Sequence, residues 1–415
     1  MKRIMASAAE HARTTADAVA RRSFGKLVAF LAARTRDVSA AEDALSEAFA
    51  SALAAWPQTG CPANPEAWLM TVARRKLIDM LRTQHADPTA SEELERMLVT
   101  IPSDTLIPDE RLAMIFACAH PAIDASVRAP LILQVVLGLD AKVIASAFLI
   151  SPAAMGKRLV RAKMKIREAG IPFSVPDRSE LEARLDTVLD TIYAAYTEGW
   201  TDPAATDAAR RELAEEAIFL ARLLVDLMPN EPEVLGLLAL LLHTEARRHA
   251  RRAGPDEFIP LDQQDCALWD SALIFEAESL LHEASAQGVI GRFQLQAALQ
   301  SAHVYRVRSG LANWAEVVEL YDALYTLTGS PVVAINRAVA VAELDGAASA
   351  LEALEQAAID PRLAEYQPYW AARAELLART GASVEARHAY SVAIGLERDE
   401  AVRRFLTARQ AALRQ

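Results

Sequence analysis

The chain has 415 residues, of which 52% are hydrophobic and 6% aromatic, with 15 glycines and a formal net charge of −11. This length favours two or three domains, and so little glycine weighs against a turn-rich all-β fold. Three cysteines far apart in sequence exclude a disulfide framework. The N-terminus lacks the apolar segment of a secretory signal, and no stretch approaches the roughly 20 apolar residues that span a bilayer. We therefore expect a cytoplasmic protein that contacts no membrane.

The net charge hides an asymmetry between the two ends of the chain. Residues 1–170 hold 22 Lys and Arg against 18 Asp and Glu, a net charge of +4. Residues 171–415 hold 22 against 37, a net charge of −15. This distribution indicates that only the front of the chain faces nucleic acid.

The first block, residues 20–83, shows helical periodicity. SAAEDALSEAFASALAAW predicts a helix over 39–56 with Ser39 as N-cap, and the Pro- and Gly-containing residues 56–66 predict a loop. PEAWLMTVARRKLIDMLR predicts a second helix over 65–82, with Pro65 in its first turn. One apolar stripe along this second helix is expected to be buried: Leu69, Ala73, Leu77 and Met80.

A polar, mixed-charge linker at 84–106 separates this block from a second one at 107–170. In the second block, PDERLAMIFACAH, ASVRAPLILQVVLG, LDAKVIASAFL and the segment from 151 to 170 predict four helices. Gly170 and Pro172 then end the last helix.

The third block, residues 178–415, is a long run of predicted helices with a weak internal repeat. Gly310, Gly346 and Gly381 each stand between two predicted helices, at separations of 36 and 35 residues. Helix–turn–helix units near 34 residues are typical of tetratricopeptide repeats, which stack into a small solenoid. Residues 180–285 fit this period poorly, as divergent repeats or a separate helical bundle would.

The last predicted helix of the second block, SPAAMGKRLVRAKMKIREAG, is basic, with six Lys or Arg among the eleven residues from Lys157 to Arg167. Ser151 before Pro152 predicts an N-cap followed by proline at the first helical position. At helical spacing the side chains separate into two faces. One is the apolar stripe of Met155, Leu159, Ala162 and Ile166, and the other is the cation cluster of Lys157, Arg158, Arg161 and Lys165.

The shorter helix predicted from LDAKVIASAFL comes directly before this basic helix, after a tight turn. Two helices so joined, with the second one basic, are typical of a DNA-binding helix-turn-helix. A solvated basic helix in an all-α bundle is the alternative, and this segment alone leaves both open.

A second basic cluster lies in ARRKLIDMLR, where Arg74, Arg75 and Lys76 follow Trp68 by one to two turns. Aromatic and basic side chains beside a loop suit melted nucleic acid, whose bases stack and whose phosphates pair with cations. The alternative is a solvated helix face with a core tryptophan.

An acidic helix precedes this cluster, with Glu42, Asp43 and Glu47 beside apolar residues in AEDALSEAF. Such a face can dock on a basic helical partner, or it can be an ordinary amphipathic surface helix.

The order of these segments over about residues 20–170 resembles bacterial RNA polymerase sigma factors of the extracytoplasmic-function type. In that family the first block, region 2, opens the promoter −10 element, and the second, region 4, reads the −35 element. AEDALSEAFASALAAW resembles the core-polymerase-binding helix, with Ser46 where glutamine is frequent. AWLMTVARRKLIDMLR resembles the −10 helix, with Asp79 in register and Arg75 in place of the usual asparagine. LDAKVIASAFLISPAAMGKRLVRAKMKI resembles the −35 helix-turn-helix, with Val143 where glutamate is frequent.

The resemblance implies three sets of contact residues. Core polymerase would be bound by Asp43, Glu47, Phe49 and Trp56. The −10 DNA would be held by Asn64, Trp68, Arg74, Arg75, Lys76 and Arg82. The −35 DNA would be held by Ser151, Lys157, Arg158, Arg161 and Lys165.

The back half contains AGIPFSVP, LMPNEPEVLGLLALLLHTEAR, IPLDQQDCALWD and SPVVAINRAVAVAE, which resemble the sigma-factor subgroup with a tetratricopeptide-like C-terminal extension. This resemblance implies an alternative sigma factor whose partners are core RNA polymerase and promoter DNA. It also implies that the extension controls activity and is the place where a protein or small-molecule signal would act.

The fold expected from these observations is all-α. Two small helical DNA- and polymerase-binding domains, the second a helix-turn-helix, precede an α-helical, partly tetratricopeptide-like repeat domain. Two rival functions stay open: a helix-turn-helix transcription regulator with a repeat-type sensor domain, and an interaction-type repeat protein whose basic helices are merely solvated.

No segment predicts catalysis, a metal or a cofactor, since the chain has no phosphate-binding loop or catalytic triad in the needed context. Cys118 and His120 lack two further zinc ligands at matching spacing. His243, Glu245 and His249 are expected to form a polar helix face rather than a metal site. The polar PLDQQD segment at 260–265 is compatible with a capped turn or with a contact site for a signal or partner.

Overall fold

The structure, a computed structural model, describes residues 2–84, 107–148, 150–200, 208–254, 257–357, 360–397 and 399–413. Contacts divide the chain into two compact units. The first unit comprises Met1–Trp200 with Ala209–Ala217, and the second comprises Thr201–Ala208 with Ile218–Gln415. Beyond Gln84, the predicted linker lies outside the described residues. The all-α prediction is confirmed, and the only sheet within these described ranges is a two-stranded hairpin.

The first unit contains α1 (Lys2–Thr35), α2 (Val38–Thr59), α3 (Pro65–Gln84), α4 (Arg111–Cys118), α5 (Ala125–Leu137), α6 (Ala141–Ala147), α7 (Pro152–Glu168) and α8 (Arg178–Trp200). Helix α9 (Ala208–Leu227) contributes residues to both units.

The start and the end of α2 differ from the sequence-based prediction. Asp37, not Ser39, is the N-cap: its side chain accepts a hydrogen bond from the Ala40 amide at 3.1 Å. The predicted Ser39 cap is therefore wrong, because this residue already lies inside the helix. At the other end the helix continues beyond Trp56 to Thr59, and Gly60, with φ 85°, donates its amide to the Trp56 carbonyl.

Helix α3 begins at Pro65 as predicted, and its apolar stripe is buried as expected at Leu69, Ala73 and Leu77. Met80, the fourth residue of that stripe, is only half-buried. Three buried positions at helical spacing fix which face of α3 meets the core and which face meets solvent.

The long helix α1 gives the first unit a common core. It packs against α2 and α3 and also against α4 and α5, so both predicted front blocks share one packed interior. Gly25 allows the approach to α5, since a Cβ there would lie 1.8 Å from the Val136 carbonyl oxygen. Helix α8, expected in the third block, packs on α4 and α5, and Arg184 donates to the Phe116 carbonyl at 2.9 Å.

The second unit continues with α10 (Pro232–Glu245), β1 (Arg252–Gly254), β2 (Glu257–Phe258), α11 (Ser271–Ala286), α12 (Arg292–Ser309), α13 (Trp314–Thr328), α14 (Pro331–Leu344), α15 (Ala347–Ala357), α16 (Gln367–Arg379), α17 (Ser383–Leu396) and α18 (Glu400–Ala411). β1 and β2 pair antiparallel with an irregular register. Single 3-10 turns occupy Arg248–Arg251, Leu261–Gln263, Cys266–Leu268 and Pro361–Glu365.

Three helical hairpins repeat along this unit: α12 with α13, α14 with α15, and α16 with α17. The three glycines of the sequence repeat close them, with φ values of 71° at Gly310, 89° at Gly346 and 84° at Gly381. These are left-handed conformations that glycine adopts without steric cost. Consecutive hairpins also pack on each other, because α13 contacts α14 and α15 contacts α16.

Helix α10 lies at the centre of the segment that fits the repeat poorly. It is almost entirely buried and packs against both α11 and α12. Glu233 of α10 accepts hydrogen bonds from the amides of Phe293 and Gln294. These bonds satisfy backbone N–H groups in the first turn of α12 that have no partner within the helix. This part of the chain is thus a small bundle around one apolar helix.

No described helix is both long and apolar enough to cross a membrane. Within the described ranges, no group of three or more His, Cys, Asp and Glu side chains is placed to hold a metal ion.

Candidate nucleic-acid interface

Helix α7 separates its apolar and basic residues in the way its periodicity predicts. Met155, Leu159, Ala162 and Ile166 are buried, at most 5% exposed. The four predicted −35 cations are all exposed: Lys157, Arg158, Arg161 and Lys165. Ser151 caps the helix by accepting from the Ala154 amide at 3.3 Å. In the described part of the chain, no carboxylate lies within ion-pair distance of these four cations.

Helix α6 precedes α7 and packs against it, separated only by residues 148–151. The Asp140 carboxylate starts α6 by accepting from the Lys142 amide at 2.7 Å. The pair is therefore two consecutive packed helices with the basic one second, which is the order that the predicted helix-turn-helix requires.

The start of α5 lies beside the basic face of α7 and forms a groove with it. Sequence patterns did not predict this groove. Residues there and on α7 enclose a groove of about 480 Å³, lined by Ile123, Asp124, Ser126, Arg158, Arg161 and Lys165 among others. The Ser126 amide and hydroxyl both donate to Asp124, and these hydrogen bonds hold the pKa of that carboxyl below its usual range. Asp124 caps the start of α5, a local role that gives no information about α7.

Two further cations of α7 point to the other side, toward α2. Lys163 Nζ lies 2.5 Å from Glu42 Oε2, and the two side chains are 9% and 17% exposed. Arg167 pairs with Asp37 at 3.0 Å. Burial raises the pKa of Glu42, against the attraction of Lys163, which lowers it. These two pairs tie α7 to α2 and are separate from the exposed basic face.

The acidic face of α2 borders a groove shared with α3. Asp43, Ser46, Glu47, Lys76, Asp79 and Met80 line about 620 Å³ there. Asp43 and Glu47 are exposed, and Lys76 approaches Glu47 to 3.5 Å. Lys76, predicted to bind −10 DNA, therefore lies on the acidic side of α3.

The other two residues predicted to bind polymerase are less accessible. Trp56 is 2% exposed, and its ring packs edge-on against Trp68 with centroids 5.5 Å apart. Phe49 is half-buried, 6.4 Å from the ring of Phe24. The assignment of Trp56 to polymerase binding stays a prediction, and its indole is buried in this structure.

The residues predicted for −10 DNA lie at different depths. Asn64 is exposed and caps α3, accepting from the Ala67 amide at 3.1 Å. Trp68 is half-buried, and Arg75 is exposed. Arg74 is half-buried, with its guanidinium 5.5 Å from the Phe30 ring centroid, and burial lowers the pKa of Arg74. The side chain of Arg82 lies outside the described residues.

Comparison with known proteins assigns the front of the chain. Residues 20–86 match the family model described as Sigma-70 region 2. A "Probable RNA polymerase sigma factor RfaY" of Xanthomonas campestris pv. campestris is 30% identical over 202 residues, 47% of each chain. Residues 20–86, which comprise the second half of α1 with α2 and α3, are therefore similar to a sigma-70 region 2 domain.

A second relative is similar to this protein over most of the chain. An "Uncharacterized protein R00370" of Rhizobium meliloti is 38% identical over 369 residues, 87% of each chain. The chain belongs to the same family as this protein. Residues 184–285 match a model described as a family of unknown function, DUF6596, and no solved structure matches the chain.

Proposed function

We propose that this protein is an alternative sigma factor of the extracytoplasmic-function type, which binds core RNA polymerase and directs it to particular promoters. The observation that carries this proposal is the exposed basic face of α7, in a helix-turn-helix that shares one compact unit with a sigma-70 region 2 domain.

At the −35 element, α7 would enter the major groove with Lys157, Arg158, Arg161 and Lys165. Their charges are available because no described carboxylate pairs with them. The groove between α5 and α7 contributes Arg158, Arg161 and Lys165 to this face, and a bound phosphate would lie on these cations and away from the Asp124 carboxylate. Phosphate contacts position a protein and base-edge contacts specify sequence, so the four cations need not all read bases.

At the −10 element, melted DNA would lie along the start of α3. Asn64, Trp68 and Arg75 are the side chains of the predicted set that reach solvent on this side. An aromatic ring and a cation beside a loop suit an unstacked base and its phosphate. Arg74, half-buried beside Phe30, would support this surface from beneath.

Core polymerase would dock on the groove between α2 and α3. Exposed carboxylates of Asp43 and Glu47 give the groove its charge, and a basic helical partner would complement them. Such a partner would compete with Lys76 for Glu47, at little cost because that 3.5 Å pair is exposed.

We further propose that the second unit is a tetratricopeptide-like extension that regulates the first. Support comes from its stacked helical hairpins, closed by glycines at separations of 36 and 35 residues. The similarity to the Rhizobium protein over 87% of the chain spans both units, as expected if the two units act together.

In vitro transcription tests this proposal. The full-length chain, added to core RNA polymerase, is expected to start transcripts on a promoter library from sites with a shared −35 and −10 sequence. A truncation after Ala217 keeps the whole first unit, including α8 and its contacts with α4 and α5, and reports the direction of regulation. Failure to co-elute with core polymerase, together with binding to duplex DNA, would favour a helix-turn-helix regulator with a repeat-type sensor.

A further inference from the structure

The second unit contains a pocket of about 540 Å³ on one side of its helical hairpins. Side chains from α12, α13, α14, α16, α17 and α18 line it, and the single turn Leu261–Gln263 forms part of its edge. The volume is in the range of sites for small organic molecules. This turn belongs to the PLDQQD segment and has no side-chain cap, whereas Asp265, the last residue of the segment, caps the following turn Cys266–Leu268.

Two of the cations in the pocket are already neutralised. Arg379 donates to Glu343 at 2.5 Å, and Arg409 donates to both oxygens of Glu375 at 2.5 Å. The Tyr390 hydroxyl also donates to Glu375, at 2.9 Å. These pairs join α14 to α16 and α16 to α18, and they leave little free charge on that side.

Arg306 differs from Arg379 and Arg409 because it has no carboxylate partner among the described residues. Its guanidinium stacks 3.8 Å above the Trp314 ring, and Nη2 is 3.4 Å from His303 Nδ1. The Arg306 Nε is buried and has no hydrogen-bond partner. Across the described residues, no carboxylate comes within ion-pair distance of this guanidinium. A buried donor of a permanent cation without a partner carries a desolvation cost that a bound anion would remove.

Two side chains beside Arg306, His303 and Tyr321, are neutral at physiological pH, whereas the carboxylates of Glu343 and Asp262 act on the Arg306 charge without forming an ion pair with it. Burial, and secondarily the charge of Arg306, lower the pKa of His303 to about 4. Burial raises the pKa of Tyr321 to about 12, so its hydroxyl stays protonated. His303 also packs edge-on to Trp314, with centroids 6.3 Å apart, which holds the imidazole beside the guanidinium. The site therefore offers one guanidinium whose direct side-chain contacts are neutral, while Asp262 at the edge of the pocket contributes a negative charge.

Apolar surface lies beside this charge. Trp314 forms the floor under Arg306, and Val339, 40% exposed, also lines the pocket. An exposed branched side chain inside a concave site gives apolar contact area to a ligand. Arginine presents a planar fork that matches a carboxylate, and its stacking on Trp314 restricts the orientation of that fork.

We propose that this pocket binds a carboxylate attached to an apolar body, with Arg306 receiving the carboxylate and Trp314 and Val339 contacting the body. The ligand class is a small organic acid or the C-terminal residue of a peptide, which share this chemistry. The inference goes beyond the proposed transcription role, because binding in the second unit can be measured without polymerase or DNA.

Ligand-observed NMR and calorimetry on the full-length chain test the proposal. The probes are a panel of aryl and alkyl carboxylates that includes N-acetyl-L-phenylalanine, each with its amide twin, and short peptides that end in phenylalanine. We expect at least one acid to bind about ten-fold or more tightly than its amide, the difference expected when a charge-assisted hydrogen bond is lost. Preference for the free acid or for the peptide identifies the source of the carboxylate.

Arg306→Gln should reduce acid binding to the level of the amide, and Arg306→Lys should restore it only in part because the fork is lost. Arg308→Gln is the matched control, since Arg308 is exposed on the same helix and does not line the pocket. Circular dichroism melting shows that the variants fold. Equal binding of acids and amides, insensitivity to Arg306→Gln, or no binding across the panel would overturn the proposal.

Discussion

In the first unit four exposed cations of α7, Lys157, Arg158, Arg161 and Lys165, have no carboxylate within ion-pair distance among the described residues. Several arginines of the second unit instead pair with carboxylates of other elements. Arg222 pairs with Glu276, Arg252 with Asp399, and Arg337 with Asp322. The two units thus hold similar residues in different roles. What matters for binding a polyanion is the charge left unpaired at a surface, and the formal charge of −11 does not report it.

Reversing an unpaired acidic charge in the first unit should have the largest effect on binding. Asp43→Lys should lower affinity for core polymerase by more than about 100-fold, because like charges at an interface cost several kcal/mol. Asp17→Lys is the control, since Asp17 is exposed on α1 and outside the groove. Pull-down and competition with a labelled sigma factor measure the effect. Normal core affinity of the Asp43 variant would remove this residue from the docking surface.

A second test removes unpaired and paired cations in parallel. Arg158→Ala with Arg161→Ala should weaken binding to −35 duplex about ten-fold or more and lower the salt slope by about 2, since two phosphate contacts are lost. Arg403→Ala with Arg404→Ala removes the same charge from positions paired with Glu400 and should change neither quantity. Equal effects of the two double variants would show that binding follows net charge alone.

The buried pair between α7 and α2 provides a stability test. Lys163→Met should destabilise the first unit by about 3 kcal/mol, because Glu42 is then buried without its partner. Replacing both residues, with Glu42→Leu as the second change, should restore much of that loss. Arg379→Met breaks a pair whose side chains are 37% and 36% exposed, and should cost less than about 1 kcal/mol. Urea unfolding followed by hydrogen exchange in α2, α7 and α16 separates these effects.

Low pH should destabilise the second unit by protonating two buried histidines. Burial lowers the pKa of both His243 and His303 to about 4, from an ordinary value of 6.5. A depressed pKa means that the stability contribution is present above pH 6.5 and is lost as pH falls toward 4. Full protonation of His243, whose side chain is 0% exposed, should cost roughly 3 kcal/mol.

Hydrogen exchange measured between pH 7 and pH 4.5 checks this expectation. Peptides of α10 and α12 should lose protection, after correction for intrinsic rates, while those of α3 should not. His243→Gln should reduce the pH dependence in α10. A uniform loss of protection in both units would instead point to carboxylates throughout the chain.

Local patterns predicted much of the first unit. The apolar stripe and the cation cluster predicted for α7 do lie on separate faces of the helix. Both follow from the 3.6-residue period and the Ser151–Pro152 start, which are properties of the segment itself. Burial of Leu69, Ala73 and Leu77 followed from the same rule. The prediction that went wrong, the Ser39 cap, depended on a neighbour, because Asp37 takes the helix start in place of Ser39. The contact between Trp56 and Trp68 was not predicted, because the two side chains lie on different helices.

The all-α class, the glycines that close the hairpins of the second unit and the separation of basic from apolar residues on α7 could be predicted from sequence, since each arises from residues within a turn or two of one another. Which charges remain unpaired depends on tertiary packing. Lys163 meets Glu42 across 121 residues, and Arg409 reaches Glu375 across 34. Packing also brings Arg306, Trp314 and the turn Leu261–Gln263 into one pocket. Such pairings depend on how helices pack, because a helical period fixes the direction of a side chain but not the partner it meets.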